Sequence, residues 1–87
     1  MQYSLGLRIQ MARRQRGFTQ KYMCHVIKVS APTWSQYESN NKEPNLAKFR
    51  TIAKTLQVSA DWLLGLTDHE PNLKGDKNSA VYKPTIR

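Results

Sequence analysis

The side chains that usually perform chemistry are few in this chain and are not grouped. Cys24 is the single cysteine, and the two histidines, His25 and His69, stand far apart in the sequence. No nucleophile is paired with a base, and no glycine-rich loop is present to cradle a phosphate. The acidic residues form neither a catalytic carboxylate pair nor a set of metal ligands. We therefore expect a binding protein that is not an enzyme and has no cofactor and no metal site.

The chain instead carries a strong positive charge. Its 87 residues contain 14 Lys and Arg against 6 Asp and Glu, which gives a formal net charge of +8. Ten of the basic and three of the acidic residues lie in residues 1–67, so most of the excess belongs to this part. Such a charge favours a polyanionic partner, either nucleic acid or an anionic membrane surface.

The cysteine content and the apolar pattern predict where the protein is found. A single cysteine cannot form an intramolecular disulfide, so the chain is unlike a disulfide-stabilised secreted protein. No apolar stretch approaches the roughly 20 residues that span a bilayer, and the N-terminus does not read as a signal peptide. We expect a soluble, cytoplasmic protein with no membrane segment. Cys24 is expected to pack as a small apolar residue, and the histidines to lie on the surface.

Five short helices are predicted in the first 67 residues. The first has apolar residues at helical spacing and ends at Gly17, a residue that commonly follows a helix. Its arginines are expected to supply the polar surface. The apolar residues of this helix are Leu5, Ile9 and Ala12, and the arginines are Arg8, Arg13, Arg14 and Arg16.

Two capped helices follow, with a tight break between them. Thr19 is an N-cap candidate for a helix over residues 20–27, and Ser30 for a helix over about residues 31–38. Pro32 supports the second start, because proline is tolerated in the first turn of a helix. Two short helices joined by a tight turn suit a unit in which one helix braces the DNA backbone and the next enters the major groove.

The rest of the chain predicts two more helices and a polar tail. Asn45 can cap a fourth helix, and a short fifth helix ends at Gly65. We interpret residues 1–67 as the domain and residues 68–87 as a tail that is flexible or takes part in oligomerisation. The apolar face of the fourth helix is predicted to contain Leu46, Phe49, Ile52, Ala53 and Leu56.

Four stretches of the sequence resemble one known family. They are G-F-T-Q at residues 17–20, V-S-x-x-T-W-S-Q-Y-E at 29–38, E-P-N-L at 43–46 and V-S-A-D-W-L-L-G-L-T-D at 58–68. In this order they resemble the phage repressor and Cro-like (XRE-type) helix-turn-helix family over about residues 4–68. The resemblance implies an all-α, five-helix repressor-like domain. It also implies a sequence-specific regulator of transcription, a repressor of phage or prophage type, that binds double-stranded DNA.

The resemblance places the base contacts on the third helix, and helix geometry favours the same face. At about 100° per residue, Gln36 points away from the side that carries Trp34 and Tyr37. A glutamine carboxamide can pair with N6 and N7 of adenine, and small apolar groups can contact thymine methyl groups. The helix contains no Lys or Arg, so direct readout should be limited. The predicted base-reading residues are Ala31, Pro32, Thr33, Ser35 and Gln36.

The resemblance also implies phosphate-binding and structural residues. Phosphate contacts are expected at the start of the second helix and after the third. Glu38 is expected to pair with Arg13 of helix one, and Trp34, Tyr37 and Trp62 are expected to pack in the core. The predicted phosphate-binding residues are Gln20, Lys21, Ser39, Asn40, Asn41 and Lys42.

The sequence departs from the family at two places. Lys28 stands where glycine is usual, because the turn residue often has a positive φ. A lysine there implies strain of about 1 kcal/mol or a changed turn. Ala31 and Pro32 replace polar base-reading residues, which leaves the target sequence open.

One reading helix contacts only a few base pairs, so a homodimer is expected. Two copies about 34 Å apart on the duplex predict a pseudo-palindromic operator. The fifth helix, including Trp62 and Leu66, is the predicted dimer surface, together with the tail. An alternative function is that of an antitoxin-type module, which binds a partner protein through its tail and binds DNA for autoregulation. Co-purification of a second protein would favour this alternative.

Overall fold

The computed structural model of the chain describes residues 3–67, and this range contains five α-helices and no β-strand. The predicted all-α, five-helix fold is confirmed, and the third helix runs one residue further than expected. Predictions about residues 68–87, including the tail and His69, lie outside the described residues. The helices are α1 (Leu5–Arg16), α2 (Gln20–Ile27), α3 (Ala31–Ser39), α4 (Leu46–Leu56) and α5 (Ala60–Leu63).

Each helix begins at a side chain that satisfies one of its free N–H groups. The N-cap oxygen accepts a hydrogen bond from the backbone N–H three residues further on. These N–H groups have no partner within the helix, and an N-cap stabilises a helix by about 1 kcal/mol. The helix starts therefore follow directly from local sequence. The five N-cap residues are Ser4, Thr19, Ser30, Asn45 and Ser59.

The core joins all five helices. α3 packs mainly against α1 and α2, and α4 packs against α1, α2 and α5. Trp34 of α3 is completely buried, and its ring meets that of Tyr37 edge-on with 5.8 Å between centroids. This packing buries one side of α3 and fixes which side remains free. The other buried apolar residues are Ile9, Ala12, Met23, Ile27, Ile52, Leu56, Val58, Trp62 and Leu63.

The expectation that all the arginines of α1 lie on the polar surface is wrong for two of them. Arg8 is 2% exposed and Arg13 is 8% exposed. The Arg8 guanidinium lies over the ring of Trp62, 5.1 Å from its centroid, and Arg13 bonds to Glu38. An arginine can be buried where its stem packs on apolar groups and its guanidinium finds aromatic or acidic partners.

Two expectations about apolar residues are also wrong. Leu46 is 71% exposed, because it is the first residue of α4 and does not reach the core. Trp62 is 3% exposed within its own chain, so its predicted packing in the core is confirmed and its predicted place in a dimer surface is wrong. Leu66, predicted for the same surface, is exposed.

α1 and α3 approach so closely that only glycine fits at position 6. A Cβ atom added to Gly6 would lie 2.5 Å from the carbonyl oxygens of both Tyr37 and Glu38. These are backbone atoms, which cannot rotate aside as a flexible side chain would. The first turn of α1 therefore lies directly against the last turn of α3.

The turn between α2 and α3 keeps the positive φ for which glycine is usual. Lys28 has φ 66° and ψ 52°, in the left-handed region. A lysine held there carries strain of about 1 kcal/mol. The N–H groups of Lys28 and Val29 both donate to the carbonyl of Cys24, at 2.8 and 3.1 Å. The sequence predicted either a strained lysine or a changed turn at this position. The structure has the strained lysine, in an otherwise regular turn.

Candidate nucleic-acid interface

α3 has one buried face and one free face. Trp34, Tyr37 and Glu38 are buried. The opposite face carries short, uncharged side chains, and α3 contains no basic residue in its last turn. A helix held from one side and open on the other can present its free side chains to a groove. Of the predicted base-reading residues, Thr33 is half-buried, and the exposed ones are Ala31, Pro32, Ser35 and Gln36.

The first turn of α3 exposes mainly carbon atoms. The Ser30 hydroxyl accepts a hydrogen bond from the N–H of Thr33 at 3.2 Å and donates one to the Thr33 hydroxyl at 2.9 Å. Ser30 is therefore engaged in capping the helix. The exposed groups of the following residues are the methyl of Ala31 and the ring of Pro32, which lies in the first turn.

Glu38 is the point at which α1, α2 and α3 are joined. Its Oε2 accepts from Arg13 Nε at 2.6 Å and from Trp34 Nε1 at 2.7 Å. Its Oε1 accepts from Gln20 Nε2 at 2.8 Å and from Arg13 at 3.2 Å. Gln10 of α1 adds a longer contact at 3.4 Å. These bonds satisfy the buried carboxylate from several sides and hold the two helices of the motif against α1.

The hydrogen bonds keep Glu38 ionised although it is buried. Burial alone raises the pKa of the Glu38 carboxyl, but the bonds from Arg13, Gln20 and Trp34 and the charge of Arg13 outweigh it. The pKa of Glu38 therefore lies below its ordinary value. The Arg13–Glu38 pair neutralises both charges inside the domain, so Glu38 adds little repulsion against an anionic partner.

The start of α2 lies beside α3. Gln20, its first residue, is exposed, and its side-chain amide donates one hydrogen bond to Glu38. Lys21 is exposed next to Gln20, and Thr19 Oγ1 caps the N–H of Tyr22 at 2.9 Å. The remaining N–H groups of this helix start favour an anion.

The loop after α3 folds back onto the end of the helix. The N–H groups of Asn41 and Lys42 donate to the carbonyl of Gln36 at 3.0 and 3.2 Å, and the Ser39 hydroxyl donates to it at 3.3 Å. The side chains of Ser39, Asn41 and Lys42 are exposed. Residues expected to bind phosphate thus flank α3 on the α2 side and on the loop side.

Asn40 has a partner that the sequence did not suggest. It was predicted to bind phosphate, yet its Oδ1 accepts from the Gly6 N–H at 2.9 Å and its Nδ2 donates to the Ser4 hydroxyl at 2.7 Å. Asn40 also ends α3 in the left-handed region, with φ 69°. Its amide group joins α3 to the first turn of α1 and so has a structural role, and the predicted phosphate contact of Asn40 stays a prediction.

The structural roles of Gly6 and Asn40 could have been recognised from the sequence. A glycine inside a helix, such as Gly6, often marks a close approach of another backbone. Asn40 directly after a helix is a common left-handed cap. The burial of Arg8 could not have been recognised in this way, because its aromatic partner Trp62 is remote in the sequence.

The other reactive side chains stand apart from this surface. Cys24 is half-buried and packs against the core, and His25 is exposed. Within residues 3–67, no three or more potential metal ligands come together. The same part of the chain has no helix that is both long and apolar enough to cross a bilayer. The cytoplasmic location stays a prediction.

Two short capped helices, a tight left-handed turn and an exposed second helix define a helix-turn-helix domain. A family model described as "Helix-turn-helix domain" matches residues 6–69. The chain also resembles a solved structure of the P22 c2 repressor in complex with synthetic operator 9T. That match has a TM-score of 0.67 and 32% identity, and covers 71% of this chain and 94% of the repressor chain. The chain therefore belongs to the repressor and Cro-like helix-turn-helix family.

Curated relatives agree with this assignment. The HTH-type transcriptional regulator ImmR of Bacillus subtilis (strain 168) is 32% identical over 62 residues, covering 71% of this chain and 49% of ImmR. DicA of Escherichia coli (strain K12), also an HTH-type transcriptional regulator, is 30% identical over 79 residues, covering 90% of this chain and 58% of DicA. YobD of Bacillus subtilis (strain 168), an uncharacterized HTH-type transcriptional regulator, is 29% identical and is covered to 72%. The chain thus spans about half of the length of ImmR and DicA and more of YobD.

Proposed function

We propose that this chain is a DNA-binding transcriptional repressor that places α3 in the major groove of its operator. The observation that carries the proposal is the exposed, uncharged face of α3, flanked by exposed polar and basic residues of α2 and of the following loop. A net charge of +8 supplies the long-range attraction to a polyanion. The operator in the P22 c2 complex and the regulator names of the relatives support this choice over other anions. We propose that the chain acts by binding alone.

The base-reading role is assigned to the free face of α3. Gln36 is exposed, and its carboxamide can form two hydrogen bonds to one adenine. Ala31, Pro32 and the Thr33 methyl would contact thymine methyl groups, and Ser35 would reach a base edge as donor or acceptor. Because α3 offers no Lys or Arg to guanine, the remaining preference would come from the shape and deformability of the duplex.

The phosphate-binding role is assigned to both flanks of α3. Gln20 and Lys21 would contact the backbone from the start of α2, helped by the free N–H groups there. The loop would contact it on the other flank. Because Asn41 and Lys42 are hydrogen-bonded to the Gln36 carbonyl, a phosphate held by the loop would fix the register of Gln36 in the groove. The residues assigned to the loop flank are Ser39, Asn41 and Lys42.

We further propose that the repressor binds as a homodimer to a pseudo-palindromic site. A single α3 of nine residues reads few base pairs, so two copies about 34 Å apart along the duplex would supply the affinity. Leu64 and Leu66, after α5, are exposed apolar residues suited to such a contact. The alternative of a protein partner held by the tail depends on residues 68–87, outside the described residues.

Selection of bound sequences from a random duplex pool tests the proposal. We expect enrichment of one motif with two related halves. Lys42→Ala should weaken binding to the selected duplex and to unrelated duplexes by the same factor. On the selected duplex it should also make the slope of log K against log[salt] shallower by about one. Glu43→Gln, which changes the net charge by the same amount in the opposite direction at the neighbouring loop position, should not weaken binding. A purified chain that binds no duplex even at low salt would contradict the proposal.

A further inference from the structure

The turn between α2 and α3 is held by a residue of α4. The ammonium group of Lys48 donates to the carbonyl of Ile27 at 3.0 Å and approaches that of Lys28 at 3.4 Å. Ile27 is the last residue of α2 and Lys28 is its C-cap. Carbonyls at a helix C-terminus lack partners within the helix, and the helix dipole favours a cation there. Lys48 therefore stabilises the end of α2 from outside the helix pair.

Lys28 is the residue in this turn that most needs such support. Its backbone is in the left-handed region, which an L-residue other than glycine rarely adopts. On one side the turn is closed by hydrogen bonds from Lys28 and Val29 to the Cys24 carbonyl. On the other side the carbonyl groups of Ile27 and Lys28 face Lys48. Because Lys28 is the first of the three residues that join α2 to α3, its backbone conformation contributes to the direction in which α3 leaves α2.

Lys48 is also placed differently from a surface lysine that binds phosphate. It is half-buried, whereas Lys21, Lys42 and Lys54 are exposed. Its charged end is directed at protein carbonyls, and it links α4, which packs on α2, to the turn that leads into α3. A basic residue in a basic DNA-binding domain would ordinarily be assigned to the DNA backbone. The geometry here assigns it to the protein.

We propose that Lys48 is a positioning residue for DNA recognition. Its ammonium group holds the turn backbone at Ile27 and Lys28, and so sets the orientation of α3, without contacting DNA. This inference rests on the proposed role of α3 as the reading helix. It extends that role to a residue of α4, whose charge would matter for binding only through the shape of the turn.

The test compares Lys48→Met with Lys54→Met, which removes the same charge from an exposed position of α4. Dissociation constants for the selected duplex are measured over a series of salt concentrations, at a temperature where both variants are folded. Lys48→Met should weaken binding about tenfold at every salt concentration, with the salt slope unchanged, and Lys54→Met about twofold or less. A slope shallower by about 0.9 would make Lys48 a phosphate ligand and overturn the proposal. Unchanged affinity with lowered stability would also overturn it.

A second comparison tests the route through Lys28. Glycine at position 28 adopts the left-handed conformation without strain, so the turn should need less support. We expect Lys48→Met to weaken binding only about threefold in the Lys28→Gly background, and Lys48→Arg to restore binding to within about threefold of the native value. A tenfold loss in both backgrounds would contradict the proposed route.

The controls separate this inference from the proposed function. Should Lys48→Met fail to fold, Lys48→Leu gives the same comparison, because it also removes both the charge and the hydrogen-bond donor. If the native chain binds no duplex, the proposed function fails and this inference fails with it. If the native chain binds and the Lys48 variants match native affinity, only the positioning role is refuted.

Discussion

Asn40 and Gly6 join the end of α3 to the beginning of α1: the side-chain carbonyl of Asn40 accepts a hydrogen bond from the Gly6 N–H at 2.9 Å. At the same place, the Cα of Gly6 leaves room for the carbonyl oxygens of Tyr37 and Glu38. The last turn of α3 is thus held by a hydrogen bond and by a close backbone contact. A helix whose C-terminal end is fixed in this way can keep Gln36 in one position relative to the rest of the domain.

Removal of the Asn40 amide tests whether this residue is structural. Asn40→Ala loses the acceptor for the Gly6 N–H and places alanine at φ 69°, so we expect a loss of about 2 kcal/mol in the free energy of unfolding. Asn40→Gly removes the same hydrogen bonds without the backbone strain and should lose about 1 kcal/mol. Urea denaturation measures both. Asn41→Ala is the control and should stay within about 0.5 kcal/mol of the native value. Equal stability of all three variants would refute the structural role.

Two glycine substitutions separate crowding from strain. Gly6→Ala places a Cβ atom against two backbone oxygens of α3, and we expect it to destabilise the domain by about 3 kcal/mol. Gly17→Ala adds a Cβ atom in open space but at φ 77°, and should cost about 1 kcal/mol from strain alone. Thermal or chemical unfolding gives both values. If Gly6→Ala proved the milder change, the close approach of α1 and α3 would be wrong.

The lowered pKa of Glu38 predicts how stability depends on pH. A carboxyl with a lower pKa in the folded than in the unfolded chain stabilises the fold at pH values above its unfolded pKa, about 4.3. That contribution is lost as the pH falls through the lower folded value. Unfolding free energies measured from pH 7 to pH 2 should decline below about pH 4.

Two variants assign this decline to Glu38. Glu38→Gln leaves Arg13 buried without a charged partner, so it should lower the free energy of unfolding by about 3 kcal/mol at pH 7. It should also reduce the decline in stability below about pH 4. Glu43→Gln, at an exposed acid, should leave the decline in place. A Glu38→Gln protein that kept the native pH profile would show that the stability gained from Glu38 does not depend on its charge.

The sequence predicted those parts of the fold that depend on neighbouring residues. Thr19, Ser30 and Asn45 mark helix starts because each caps the N–H three positions on, and this interaction is local. The buried side of α3 follows from the spacing of Trp34 and Tyr37. The family resemblance added the Glu38 pairing with Arg13, whose partners lie 25 positions apart in the chain.

The remaining contacts depend on tertiary structure. Lys48 reaches carbonyls 20 and 21 positions earlier, and Arg16 donates to the carbonyl of Leu56 across 40 positions. Backbone carbonyls are present at every residue, so no residue type indicates which carbonyl a lysine or arginine will find. Burial of Arg8 against Trp62 has the same origin. Base-reading residues can be placed on a face from the sequence, but their bases cannot be named without the duplex.

Base discrimination by Gln36 tests the central claim most directly. Equilibrium binding of the native chain and of Gln36→Ala is measured on the selected duplex and on all of its single-base-pair variants. The native chain should prefer an A·T pair at one position of each half-site by about 1 to 3 kcal/mol, and Gln36→Ala should lose the preference at that position alone. If Gln36→Ala keeps the complete native pattern of preferences, α3 does not read the operator through this face.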